Sequence, residues 1–80
     1  MSAMSEAEQV VREIIAKITK RDMSEVLPDL KLAEDLGMKS VSRIELAALL
    51  EDRLGIKVDN FEIRKPKTVG QVVDMVLAKL

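Results

Sequence analysis

Ser40 is the residue of this sequence best placed to take part in chemistry. It stands just after a break at Gly37, at the mouth of a helical segment. Free backbone N–H groups and the positive end of the helix dipole stabilise an anion there, such as a phosphodiester carried on the serine hydroxyl. The same place suits a structural role, with Ser40 as N-cap or with Ser42 and Glu45 as a competing capping box, and local chemistry leaves both readings open. Other catalytic equipment is scarce. The chain has no Cys and no His, so thiolate nucleophiles, imidazole bases and disulfides are absent and a metal site would have oxygen ligands only. The adjacent acids Glu34 and Asp35, and Glu51 and Asp52, do not converge on a substrate, because neighbouring helical positions point about 100° apart. They read as solvated surface charge, no metal site is assigned, and no catalytic residue is expected.

The elements that must position Ser40 follow from periodicity. Ser5 to Glu8 matches a capping box, and Val11, Ile14, Ile15 and Ile18 repeat at the spacing of one buried stripe, which predicts a helix over about 5–20. From Arg21 to Lys39 the pattern is lost around Pro28 and Gly37, while Leu27, Leu30, Leu32 and Leu36 supply apolar anchors. This long ordered connector is of a kind that is often functional when it occurs. A second helix is expected over about 40–54, ended by Gly55 in the position that tolerates positive φ. A short turn over about 60–64 follows, with Phe61 and Ile63 as candidate contacts ahead of Pro66. Thr68 to Gln71 is another capping-box match and opens a last helix over about 68–79, with Val69, Val72, Val73, Val76, Leu77 and Leu80 in helical spacing. The expected fold is all-α, a small three-to-four-helix bundle with a long connector between the first and second helices.

Eighty residues make a single domain. Apolar residues at 48% with interleaved charges at 34% suit a soluble globular fold. No apolar run approaches the roughly 20 residues that cross a bilayer and no secretory layout is present, so a cytoplasmic location without stable membrane association is expected. One Phe with no Trp or Tyr, and a net charge of -1, speak against nucleic acid as a partner.

The second helix carries apolar residues on two sides. Leu46, Ala47, Leu50 and Leu54 share one face, the expected core side, whereas Val41, Ile44 and Ala48 lie opposite, ringed by Glu45, Glu51 and Asp52. An apolar centre with a charged rim is the layout of a transient docking surface. Scattered surface apolar residues are equally ordinary, and both readings stand.

The run Leu32-Ala33-Glu34-Asp35-Leu36-Gly37-Met38-Lys39-Ser40-Val41, with Ile44-Glu45-Leu46 and Leu50-Glu51-Asp52 after it, closely resembles the core of acyl carrier proteins. Pro28-Asp29 upstream and Lys65 to Val69 downstream match in order and spacing, so the likeness runs from about Ala7 to Leu77. The resemblance implies a non-enzymatic, monomeric carrier with the 4'-phosphopantetheine of coenzyme A attached to Ser40 by a phosphopantetheinyl transferase. That arm would supply the thiol this chain lacks and hold acyl groups as thioesters. Partners would be enzymes that load, elongate or transfer acyl groups in fatty-acid, lipid or polyketide-type synthesis. Lys39, Val41, Ile44, Glu45, Ala48, Glu51 and Asp52 are the implied docking residues. Leu46, Leu50, Ile63, Val69 and Val76 are the implied lining for an acyl chain that retreats between helices, and they are ordinary core positions on any reading.

Two departures stand out. Family members usually read Asp-Ser-Leu where this chain has Lys39-Ser40-Val41, which reverses a charge expected to help place the transferase and its metal; Lys39 is suited instead to pairing with the arm's phosphate, and a solvated lysine with no role is an equally open reading. Typical carriers are also strongly acidic along the second helix and the turn after it, whereas Arg43, Arg53, Lys57, Arg64, Lys65 and Lys67 break that field here. A mixed surface implies a different partner set and a specialised carrier. The rival readings are an unmodified carrier-fold interaction module, supported by Lys39, and a nucleic-acid binder using Arg64 to Lys67, opposed by the acids of the second helix.

Overall fold

In the computed structural model, which describes residues 5–80, three α-helices enclose one core. They are α1 (Glu6–Thr19), α2 (Ser40–Leu54) and α3 (Val69–Lys79), with 3-10 turns at Met23–Glu25 and Glu62–Arg64. The all-α expectation holds.

Helix α1 starts where Ser5 Oγ accepts the Glu8 N–H at 3.1 Å. Ala7, Val10, Val11, Ile14 and Ile15 are buried along one stripe, with Ile18 packed against the core from its edge. The helix stops one residue short of the expected Lys20, which turns to φ 58°. The Arg21 N–H then reaches back to the Ala16 carbonyl at 3.0 Å, the six-to-one closure that satisfies an orphan acceptor at a helix end.

The connector between α1 and α2 is held at both ends. Arg12 on α1 donates from Nε to the Val26 carbonyl at 2.8 Å and from Nη2 to the Met23 carbonyl at 3.2 Å, so its first half lies along α1. Its apolar anchors differ in part from those read in the sequence: Leu32 and Leu36 are buried and Leu30 packs at the margin, but Leu27 is 45% exposed, and Val26 and Met38 are buried in its place. Its second half clasps the start of α3. The Leu32 N–H donates to the Lys67 carbonyl at 2.9 Å, the Val69 N–H to Leu30 at 3.1 Å and the Gly70 N–H to Pro28 at 2.8 Å. These bonds occupy two N–H groups of α3 that its own ladder leaves free, and Thr68 Oγ1 caps a third by accepting from Gln71 at 3.1 Å. A Cβ on Gly70 would come within 3.1 Å of the Pro28 carbonyl oxygen, so the close approach of the two chains depends on glycine there.

Ile15, Leu32, Leu46, Leu50, Ile63, Val69, Val72 and Val76 are all but fully enclosed, so every long helix, the connector and the second 3-10 turn contribute to the same core. The Cα radius of gyration of 11.4 Å matches the about 11.6 Å typical of a compact chain of this length.

Candidate functional site

Ser40 is placed by the turn before it. Asp35 Oδ2 accepts the Lys31 N–H at 2.7 Å, the Gly37 N–H returns to Ala33 at 3.0 Å and the Met38 N–H to Leu32 at 2.9 Å. Gly37 sits at φ 69°, a conformation that costs other residues about 1 kcal/mol or more. Leu36 and Met38 are buried at 4% exposure each, so the chain is nailed into the core two residues ahead of the serine. Glu34 faces the Lys31 ammonium at 3.8 Å; the Glu34 and Asp35 acids thus act within this turn.

Because Met38 is fixed inward, Lys39 and not Ser40 falls at the N-cap, with φ -105° and ψ 179° and no side-chain cap. Ser40 is the first residue of α2, exposed. The expectation of a capping serine is overturned, and the rival box of Ser42 and Glu45 is displaced as well, since Ser42 lies within the helix. Among the described residues the Ser40 hydroxyl makes no hydrogen bond. The N–H groups of Ser40, Val41 and Ser42 precede the first i−4 bond of the helix, which Arg43 makes to Lys39 at 3.0 Å, and no acidic residue lies in the first turn. Those groups and the exposed Lys39 ammonium leave a positive helix end beside a free hydroxyl.

Along α2 the two faces separate. Leu46, Ala47 and Leu50 are buried, with Leu54 at the margin. Val41 is 76% and Ile44 46% exposed, and Ala48, Glu45 and Asp52 are exposed beside them. Glu51 also lies outward, but its Oε2 accepts the Val58 N–H at 2.8 Å and so ties down the loop that follows α2. Leu46, Leu50, Ile63, Val69 and Val76 come together in the packed core, none more than 1% exposed. A groove of about 420 Å³ lies elsewhere, between the second 3-10 turn and α3, lined by Glu62, Lys65, Pro66, Gln71, Asp74 and Met75.

Arg43 is the structural residue that sequence reasoning missed. The sequence places it with the surface cations that break the acidic field, yet its Nη1 donates to the Ile63 carbonyl at 2.9 Å and the Pro66 carbonyl at 2.6 Å. Burial pulls this guanidinium below the usual arginine range. The signal was present in the spacing, because Arg43 precedes Leu46, Ala47 and Leu50 by three, four and seven residues and so belongs to the core stripe. Arg53 is also engaged, with Glu13 of α1 at 3.1 Å. Phe61, expected as a contact, is 79% exposed, and Ile63 alone enters the core from that turn.

A family profile described as a phosphopantetheine attachment site matches residues 9–76. An acyl carrier protein of Thermotoga maritima is 34% identical over 80 residues, covering 100% of this chain and 99% of that one. The chain belongs to the acyl carrier protein family. An acyl carrier protein of Rickettsia bellii is 37% identical over 76 residues, covering 95% of this carrier and 94% of its relative. A meromycolate extension acyl carrier protein of Mycobacterium leprae is 35% identical over 63 residues, covering 79% of this carrier and 55% of the longer chain. The protein is thus an acyl carrier of the fatty-acid and lipid-synthesis type, and its prosthetic group is 4'-phosphopantetheine. Its family is one of carriers and not of catalysts. Among the described residues no helix is long and apolar enough to cross a membrane.

Proposed function

We propose that this carrier bears its arm on Ser40. The observation that carries the assignment is the exposed, unbonded Ser40 hydroxyl at the uncapped mouth of α2. The residues around it fit a phosphodiester. Its charge meets the N–H groups of Ser40, Val41 and Ser42 and the Lys39 ammonium, with no carboxylate in the first turn to oppose it. When attached, the group supplies a thiol on a flexible tether, the one nucleophile that a chain without Cys lacks.

The remaining roles belong to side chains already described. Val41, Ile44 and Ala48 form the apolar centre against which a phosphopantetheinyl transferase and the acyl-loading, elongating or transferring enzymes rest. Lys39, Glu45, Glu51 and Asp52 give that centre its charged rim. Leu46, Leu50, Ile63, Val69 and Val76 are the wall between which an acyl chain retreats. That wall is closed, so a chain entering it must part α2 from the second 3-10 turn. The protein performs no bond-making step of its own and works as a cytoplasmic monomer, on fatty-acid, lipid or polyketide-type intermediates.

Intact-mass measurement after incubation with coenzyme A and a transferase should show one arm added to the wild type and none to Ser40→Ala. A chain that stays bare both with its cognate transferase and when purified from its own host would remove the assignment. The reading left would be an unmodified interaction module using the α2 face, which Lys39 favours by standing where family members carry aspartate.

A further inference from the structure

The loop from Lys57 to Lys67 holds features that arm attachment does not use. Phe61, the sole aromatic residue of the chain, is 79% exposed, more than any other large apolar side chain among the described residues. Leaving a phenylalanine in water forgoes the stabilisation that its burial would bring. Its backbone is nevertheless firmly held. Asp59 Oδ1 accepts the Phe61 N–H at 2.9 Å and the Glu62 N–H at 2.7 Å, and the Arg64 N–H donates to the Phe61 carbonyl at 3.3 Å. Ile63, two residues on, is locked in the core at 1% exposure, so the ring is held outward by a rigid turn.

The charges around it are unbalanced. Lys57, Arg64, Lys65 and Lys67 are exposed, and the charged group of none of them has an ionic or hydrogen-bonding partner among the described residues. The acids of the same stretch are engaged: Asp59 by the two N–H groups, and Glu62 by the Lys79 ammonium at 2.7 Å. In a 3-10 turn residues three apart lie on one side, which puts Arg64 beside Phe61. The loop follows α2, which ends at Leu54, and is tied back to that helix where Glu51 accepts the Val58 N–H, so the basic patch is joined to a helix that also exposes Glu45 and Asp52.

We propose that this loop is a second docking element, with Phe61 inserting into an apolar pocket of a partner enzyme and the surrounding cations facing a rim of Asp and Glu on that enzyme. The inference rests on the carrier reading and extends it by naming the chemistry of the partner surface. An aromatic anchor that fills a pocket, with a polar rim around it, is a recurring form of interface hot spot. An anionic membrane or a nucleic acid would also attract the cations, but each presents one sign of charge, and the exposed acids of α2 would be repelled by it. A protein surface can match both signs.

The test places a photo-crosslinking phenylalanine analogue at position 61 of the whole chain in its own host, with position 77, another exposed apolar site, as reference. The enzyme identified is then titrated with the purified carrier by calorimetry. Support requires a crosslink from 61 and not from 77, onto a segment rich in Asp and Glu. Phe61→Ala should weaken binding by about tenfold or more. Raising NaCl from about 50 to about 300 mM should weaken the wild type but not the variant with Lys57, Arg64, Lys65 and Lys67 all changed to Gln. Crosslinks to lipid or nucleic acid, equal crosslinking from both positions, none from 61, or full affinity in Phe61→Ala would each overturn the proposal. The intact mass of the natively produced chain is read separately: a bare Ser40 with a specific crosslink from 61 removes the carrier reading and leaves the docking element standing.

Discussion

At the scale of single residues, the position of Ser40 was legible but its local role was not. The break at Gly37 and the onset of the α2 stripe put the serine at a helix mouth, and from there a capping role is the ordinary inference. The burial of Met38 decided otherwise. A tertiary anchor two residues upstream advanced the register so that Lys39 took the cap position and the serine hydroxyl was left without a partner. Lys39 is then the charged residue next in sequence to the proposed ester. Lys39→Asp restores the residue usual in the family and should raise the rate of arm transfer by a broad-specificity transferase severalfold, read as the initial rate of mass conversion. The same substitution puts a carboxylate at the positive end of α2 and should stabilise the fold by about 0.3–1 kcal/mol in denaturant titration. An unchanged transfer rate in a stabilised protein would separate the two effects and remove Lys39 from transferase recognition.

At the scale of elements, the three long helices could be read from apolar spacing because each buries one stripe on a common core. The joints could not, because they depend on side chains reaching backbone carbonyls across the fold. Arg43 is the plainest case. Its two bonds hold α2 to the stretch leading into α3, and Arg43→Ala should lower stability by about 2–3 kcal/mol, given the strength of charge-assisted bonds and some solvent screening. A shift in denaturant midpoint with unchanged slope would show it. The second 3-10 turn is pinned to α3 by Glu62 and Lys79 at 2.7 Å. Hydrogen bonding to Lys79 holds the Glu62 carboxyl below its ordinary value of 4.5. With the folded value the lower one, this tie contributes fully above about pH 4.5 and fades as pH falls through the folded value. Stability curves for wild type and Glu62→Gln should therefore differ near neutrality and converge in acid; curves that stay parallel would assign the pairing no energetic role. The pairing of Lys31 with Thr68 and the clasp around it left no periodic trace in the sequence, since they join segments far apart in the chain.

At the scale of the whole molecule, the buried apolar side chains of the described residues form a single cluster, which ties the three helices to one another. Leu50→Ala, at a position with 0% exposure, should cost about 2–5 kcal/mol. A chain of this size has about 4–12 kcal/mol in all, and unfolding should remain one transition by both circular dichroism and calorimetry. Charge is likewise organised at this scale, since a net value of -1 conceals exposed acids on α2 and exposed cations on the loop that follows it. The clasp between residues 28–32 and 67–70 sets a limit of a different kind. It draws together the strands of backbone that lead into and away from the serine-bearing helix, closing a ring with that helix inside. The proposed acceptor serine therefore cannot be transplanted as a short peptide tag that keeps its native setting: cutting away the last helix unties the turn that aims Ser40, although some thirty residues of chain lie between them. The smallest portable version of this attachment point is close to the whole molecule.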